Sequence, residues 1–193
     1  MAKSGRQEVR SAVDTRNRII DAAQVVFSQK GYPHAGMREI AGCAGVATSL
    51  VTKYFGTKAA LYEEALVGAM FDLGIFQADP DRFGDVLADT MLDTRLQMNA
   101  PGMIALSLGD AESREIALRV TWTHILKPMS EWLGPPAGLE RAINIFMMTL
   151  GFSIFGRNGG FDHPKRPDPE IVSQLFAEGL QRLVDMRNVT EPS

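Results

Sequence analysis

Apolar residues recur at spacings of three and four along almost the whole chain, and no stretch alternates as a half-buried strand does. Helices with one apolar stripe must bury it against other helices, so the fold class is all-α. Gly and Pro punctuate the helices. The spacing predicts a first helix over about Thr15–Lys30, with Ile19, Ile20, Ala23, Val26 and Phe27 on one side and a stop at Gly31 and Pro33. Two short helices follow, near Met37–Ala44 and Thr48–Phe55. Gly56 ends the second, and Thr57 caps a longer helix reaching about Phe76. Beyond Asp79-Pro80-Asp81, further helices are expected over about Arg82–Met98, Ala111–Trp132, Leu139–Arg157 and Pro169–Met186. Pro101-Gly102 punctuates a short apolar segment ending at Leu108, Pro128 should bend or split the 111–132 helix, and Gly134-Pro135-Pro136 forces a turn. The count is about nine helices, a three-helix N-terminal unit followed by a larger bundle. The expected division is a flexible basic arm (1–14), a helix-turn-helix domain (15–60), a helical regulatory and dimerisation domain (61–187) and a tail (188–193).

Charge divides the chain as sharply as the helices do. Residues 1–60 hold nine Lys and Arg against four acids, a net +5, whereas residues 61–193 carry a net −8. A positive segment on an acidic body suits a local polyanion site, although segregated charge on a solvated surface is the plain alternative. The remaining composition narrows the field. With 45% hydrophobic and 22% charged residues among 193, the chain can bury a core and is not wholly disordered. A single cysteine, Cys43, excludes an internal disulfide framework. The N-terminal MAKSGRQEVR has no apolar core, and Ile143–Phe155 is too short and too interrupted to span a bilayer, so the expectation is a cytoplasmic protein with no membrane partner.

The most informative segment is Met37–Tyr54, MREIAGCAGVATSLVTKY. Ala41 lies four residues before Gly45 and Val51 six after it, with Ile40, Ala44 and Val46 between. Two short helices crossing through a tight turn need a small residue at the crossing, a residue tolerating positive φ in the turn, and a buried residue on the second helix. Ala41, Gly45 and Val51 meet those needs. The packing leaves Thr48, Ser49, Thr52 and Lys53 outward, where short hydroxyls and one cation can approach base edges and phosphates in a major groove. A plain helical hairpin would show the same bare spacing.

Residues 16–66 resemble the DNA-binding part of the TetR family of bacterial transcriptional regulators. The resemblance rests on Ile19-Ile20-Asp21-Ala22-Ala23, Phe27, Gly31-Tyr32, Met37-Arg38-Glu39-Ile40-Ala41, Ala44-Gly45-Val46 and Tyr54-Phe55-Gly56-Thr57-Lys58 with Leu61 behind it. A weaker likeness to a regulatory-domain pattern of part of that family rests on Ala117-Leu118-Arg119, Pro128, Leu133-Gly134 and Arg141-Ala142. The resemblance implies a three-helix DNA-binding domain, a helical ligand-binding domain and a homodimer on double-stranded DNA at a near-palindromic operator. It puts Thr48, Ser49, Thr52 and Lys53 on the recognition helix, and Tyr54 and Lys58 on phosphates. A cation at a helix N-terminus is disfavoured by the dipole, so a phosphate partner is the better account of Lys58. Arg38, at the start of the second helix, is a further phosphate contact. The chain departs from the pattern in three places. Ala35-Gly36 replaces a hydroxyl cap, leaving Glu39 to reach back to the Gly36 amide; Ala47 replaces a serine, leaving Thr48 to cap; and Thr52 replaces a tyrosine.

The acidic part holds eight of the ten methionines, with Trp122, Trp132, Phe146, Phe152 and Phe155. Flexible, polarizable side chains suit a pocket for a small apolar effector, and the expected lining is Met91, Met103, Trp122, Leu126, Met148 and Phe152, with Arg119 and His124 as polar anchors. Taken singly, each is as well explained by an ordinary core. The 139–157 helix is apolar too far around for a monomer's surface, and with the last helix it fits a dimer interface through Phe146, Leu150, Ile154, Leu175, Phe176 and Leu183. Central burial within one subunit is the alternative.

Nothing in the sequence marks an enzyme. His34, His124 and His163 lack metal-ligand spacing, and no phosphate loop or nucleophile elbow is present, so neither cofactor nor metal is expected. Cys43 is better read as packing than as a redox sensor. The reading is a ligand-responsive regulator, a repressor in the first instance. The alternative is a helical small-molecule-binding or catalytic protein that no longer reads DNA.

Overall fold

The structure, a computed structural model, describes residues 2–71, 79–93, 99–157 and 167–186. Ten α-helical segments and no strand occur among the described residues: α1 (Ala2–His34), α2 (Met37–Ala44), α3 (Thr48–Phe55), α4 (Lys58–Phe71), α5 (Phe83–Leu92), α6 (Asn99–Ser107), α7 (Ala111–Thr121), α8 (Lys127–Leu133), α9 (Gly138–Arg157) and α10 (Pro169–Asp185). The expected ends near Phe76 and Met98, most of the 158–167 loop and the 188–193 tail fall outside the described residues.

Two compact units are formed: residues 1–70 with 98–120, and residues 71–97 with 121–193. The first unit therefore takes in α6 and α7 as well as the N-terminal helices. α1 is the long member. It breaks at Gly31, whose φ of 73° ends the regular helix ahead of Pro33. Residues 2–14 continue this helix, where a flexible arm was expected. Ile19, Val26 and Phe27 are buried, and α6 lies close along the same helix: a Cβ at Gly102 would stand 3.0 Å from the Ser28 carbonyl oxygen. Pro101 and Gly102, expected to interrupt the chain, sit inside the first turn of α6, where proline has no backbone hydrogen bond to lose.

In the second unit, Pro128 has the expected consequence in a specific form. Between α7 and α8 the backbone takes one π-helical turn, Trp122–Leu126, which absorbs the missing amide and the ring's clash with the preceding turn. Arg141 of α9 is 2% exposed, and its guanidinium donates to the carbonyls of Leu133 and Gly134 at the end of α8 and of Leu183 and Val184 near the end of α10. One planar fork thus serves C-terminal carbonyls of two helices. α5 and α10 approach until a Cβ at Gly84 would stand 2.2 Å from the Ala177 carbonyl oxygen, so that glycine is a packing requirement. Asp168 caps α10 through the Glu170 amide at 3.0 Å, with Pro169 in the first turn.

Candidate nucleic-acid interface

α2 and α3 form the crossing that the Ala41–Gly45–Val51 spacing predicts. Ile40, Ala41 and Ala44 are buried on α2, and Val51 and Phe55 on α3. Gly45 closes the turn with φ 65° and ψ 39°, and the Val46 amide bonds the Ala41 carbonyl at 2.9 Å. That left-handed turn is where an L side chain would be strained. With its inner face packed, α3 turns the other outward: Ser49, Thr52 and Lys53 are exposed, and Thr48 and Tyr54 are half-buried. Arg38 is exposed near the start of α2.

The caps differ from expectation. Neither α2 nor α3 has a side-chain N-cap; Gly36 and Ala47 hold those positions in extended backbone. Thr48 is the first helical residue rather than the cap, and its carbonyl accepts the Thr52 hydroxyl at 3.4 Å. Glu39 forms an ion pair with Lys30 of α1. Helix ends without side-chain caps leave backbone N–H groups directed outward at the start of α3, where an anion is favoured.

Lys58 needs the largest revision. Its ammonium donates to the carbonyl of Tyr32 at 2.7 Å and of Ala35 at 3.3 Å, and lies 4.3 Å from the centre of the Tyr32 ring. The cation at the start of α4 is thus explained inside the domain: it ties α4 to the corner between α1 and α2. The same corner is braced further. Phe27, Tyr32 and Tyr62 form an edge-and-face aromatic cluster, with centroids 5.0 to 6.1 Å apart. The Tyr32 hydroxyl donates to Glu112 of α7 at 2.6 Å, and the Tyr62 hydroxyl to the Met103 carbonyl of α6 at 3.0 Å. Burial first, then the bond to the Glu112 carboxylate, holds the Tyr32 phenol far above its ordinary range; burial pushes Tyr62 up to about 12. Both phenols stay protonated as donors. No sequence motif flagged Tyr62 or Glu112, because their roles arise only when α4, α6 and α7 meet α1.

The expected effector residues divide between the units. Met103 and Arg119 belong to the first, and Met91, Trp122, His124, Leu126, Met148 and Phe152 to the second. Arg119 is an exposed side chain paired with Glu63 of α4, a surface bridge instead of a pocket anchor; helix phase puts it on the outer face of α7. Met103 is buried. Within the second unit, Met91 accepts a bond from the buried Ser153 hydroxyl at 2.9 Å, Phe152 stacks on Phe176 at 4.1 Å, and Met148 meets α10 at Gly179. Trp122 is 48% exposed, and His124 and Leu126 are half-buried.

Among the expected interface residues, Leu175 is 63% exposed, and Phe146, Leu150, Ile154 and Leu183 are half-buried. Phe176 is buried against Phe152 and faces inward, since it lies a helical step from Leu175. The sequence reading missed Met147, Phe155 and Ile171, all more than half exposed. Their spacing was a signal: 147, 151 and 155 on α9, and 171 and 175 on α10, each recur every four residues.

The arrangement defines an all-helical chain with an N-terminal helix-turn-helix. Residues 19–65 match the family of bacterial regulatory proteins, tetR family. Through that region the chain carries a helix-turn-helix similar to that of the TetR family. Solved structures share the fold over nearly the whole length. A TetR-family regulator from Streptomyces coelicolor A3 is 23% identical, over 89% of this chain and 95% of that one, with a TM-score of 0.55. NalD, the secondary repressor of the MexAB-OprM multidrug efflux pump in Pseudomonas aeruginosa, is 21% identical over 89% and 96%, with a TM-score of 0.60. The fatty acid degradation regulator FadR from Bacillus halodurans is 18% identical over 86% and 97%, with a TM-score of 0.66. No curated protein matches the chain. Among the described residues, no helix is long and apolar enough to cross a membrane, and no group of three or more His, Cys, Asp or Glu is placed to hold a metal.

Proposed function

We propose that this protein is a ligand-responsive repressor that binds a near-palindromic operator as a homodimer and leaves it when a small, largely apolar effector binds. The observation that carries the reading is the division of α3: Val51 and Phe55 are buried while Ser49, Thr52 and Lys53 stand in solvent. Ser49, Thr52 and Lys53, with Thr48, are the base- and backbone-reading groups; Tyr54 and Arg38 take phosphates. Lys58 acts by bracing the α1–α2 corner that aims α3. The helix-turn-helix domain spans 15–60 and the regulatory domain 61–187. Two such helices must be presented about 34–36 Å apart, one on each half-site, which requires a dimer. The exposed apolar residues of α9 and α10, Met147, Phe155, Ile171 and Leu175, supply a self-complementary face for it. The effector site lies among Met91, Leu126, Met148 and Phe152, where adaptable thioethers meet aromatic rings.

The test is footprinting of the purified protein along the DNA flanking its own gene. Protection of two half-sites about one helical turn apart, weakening steeply as salt rises, is expected. Absence of protection on any flanking fragment, together with a flat salt response, overturns the reading.

A further inference from the structure

Thr52 stands outward on α3 with its polar atom turned back into its own helix. Its hydroxyl donates to the carbonyl of Thr48, one turn earlier, at 3.4 Å. A helical threonine that bonds the preceding turn in this way commits its proton within the helix. The Cγ2 methyl is then the group left to meet a ligand. Ser49, Thr52 and Lys53 are all exposed, and at spacings of three and four they share one side of α3. Thr52 therefore sets a methyl among polar neighbours on the face that enters a groove. Such a short side chain touches a base only if the helix sits deep. Gly42 of α2 and Gly45 in the turn leave room for that, since a Cβ at either would meet nothing within 4 Å.

The major groove presents donors and acceptors from every base pair, and the C5 methyl of thymine is its apolar group. We infer that Thr52 selects thymine: in each half-site its Cγ2 methyl packs on the C5 methyl of one thymine. That contact withdraws both methyls from water and asks for no donor or acceptor, which matches a residue whose hydroxyl is bonded to Thr48. Any other base would set the methyl against a polar edge that has lost its water. The inference rests on α3 being the groove-reading helix and names what one of its residues reads there.

The experiment takes the half-sites that footprinting defines and replaces each thymine in turn by deoxyuridine, which removes the C5 methyl and keeps the base pair. Wild type, Thr52→Ser and Thr52→Val are titrated with each duplex at one salt concentration. At one thymine per half-site, the wild type should lose about fourfold in affinity, the worth of one methyl group withdrawn from water. Thr52→Val keeps a methyl without the hydroxyl; it should bind the native duplex as the wild type does and lose as much with deoxyuridine. Thr52→Ser keeps the hydroxyl without the methyl; it should bind the native duplex about fourfold more weakly and be indifferent to deoxyuridine there. Melting temperatures should match the wild type's, since residue 52 is exposed and the three residues have similar helix propensities. The opposite order, with Thr52→Ser unchanged and Thr52→Val weakened, assigns the reading to the hydroxyl and overturns the proposal. So do half-sites without thymine, deoxyuridine without effect at every position, or a deoxyuridine loss that persists in Thr52→Ser. In each of those cases the protected half-sites still stand, and α3 reads them through other residues. Absence of any protected half-site overturns the groove-reading role of α3, and the proposal with it.

Discussion

α3 and α9 are both amphipathic problems solved in opposite ways. On α3, polar and apolar residues segregate cleanly, so one subunit buries Val51 and Phe55 and has nothing further to hide. On α9 the apolar residues run around the helix; Ala142 and Ile145 are buried within the unit while Met147 and Phe155 remain more than half exposed. Exposed polar groups on a packed helix mark a surface made for a polar ligand. Exposed apolar groups on a packed helix mark a surface awaiting another apolar one.

The sharpest way to break that contrast is to charge the α9 face. Phe155→Glu should raise the dimer dissociation constant by at least about 100-fold, since an interfacial carboxylate must be desolvated in both copies. Sedimentation equilibrium checks it, and an unchanged constant means the face is not the interface. Next comes Arg141→Ala. Removing the fork leaves the C-terminal carbonyls of α8 and α10 without their donor, so urea unfolding should show a loss of about 3 kcal/mol; a loss below about 1 kcal/mol would mean water replaces it.

Two lysines sharpen the comparison within the DNA-binding region. Lys58→Met should cost about 1–2 kcal/mol of stability through two carbonyl bonds and the Tyr32 ring contact. Lys53→Ala should leave stability within about 0.5 kcal/mol yet weaken DNA binding and reduce the salt slope by about 1. Equal stability losses would erase the distinction between brace and reader. The smallest effect belongs to Asp110, which caps α7 by accepting from the Ser113 amide at 2.9 Å and hydroxyl at 3.0 Å. The bonds from Ser113 hold its carboxyl below the usual range. A depressed carboxyl stabilises above its unfolded pKa and loses that contribution as pH falls through the folded one. The melting-temperature gap between wild type and Asp110→Ala should therefore narrow on acidification.

The sequence alone determined the all-α class, the α2–turn–α3 crossing and the outward row on α3. Each depends on neighbours within a few residues: helical period, one small residue at a crossing, one glycine at positive φ. It also placed the break at Pro128, because proline acts on the turn that precedes it. Only the tertiary structure decided which helix faces meet what. Lys58 turned from a phosphate ligand into a brace, Arg119 into a surface ion pair, and Phe176 into a stacking partner of Phe152, although the local sequence around each favours the other role. Those outcomes depend on residues far along the chain, Tyr32, Glu63 and Phe152, whose positions periodicity cannot supply; a side chain's partner is fixed by how helices pack, and packing is a property of the assembled faces.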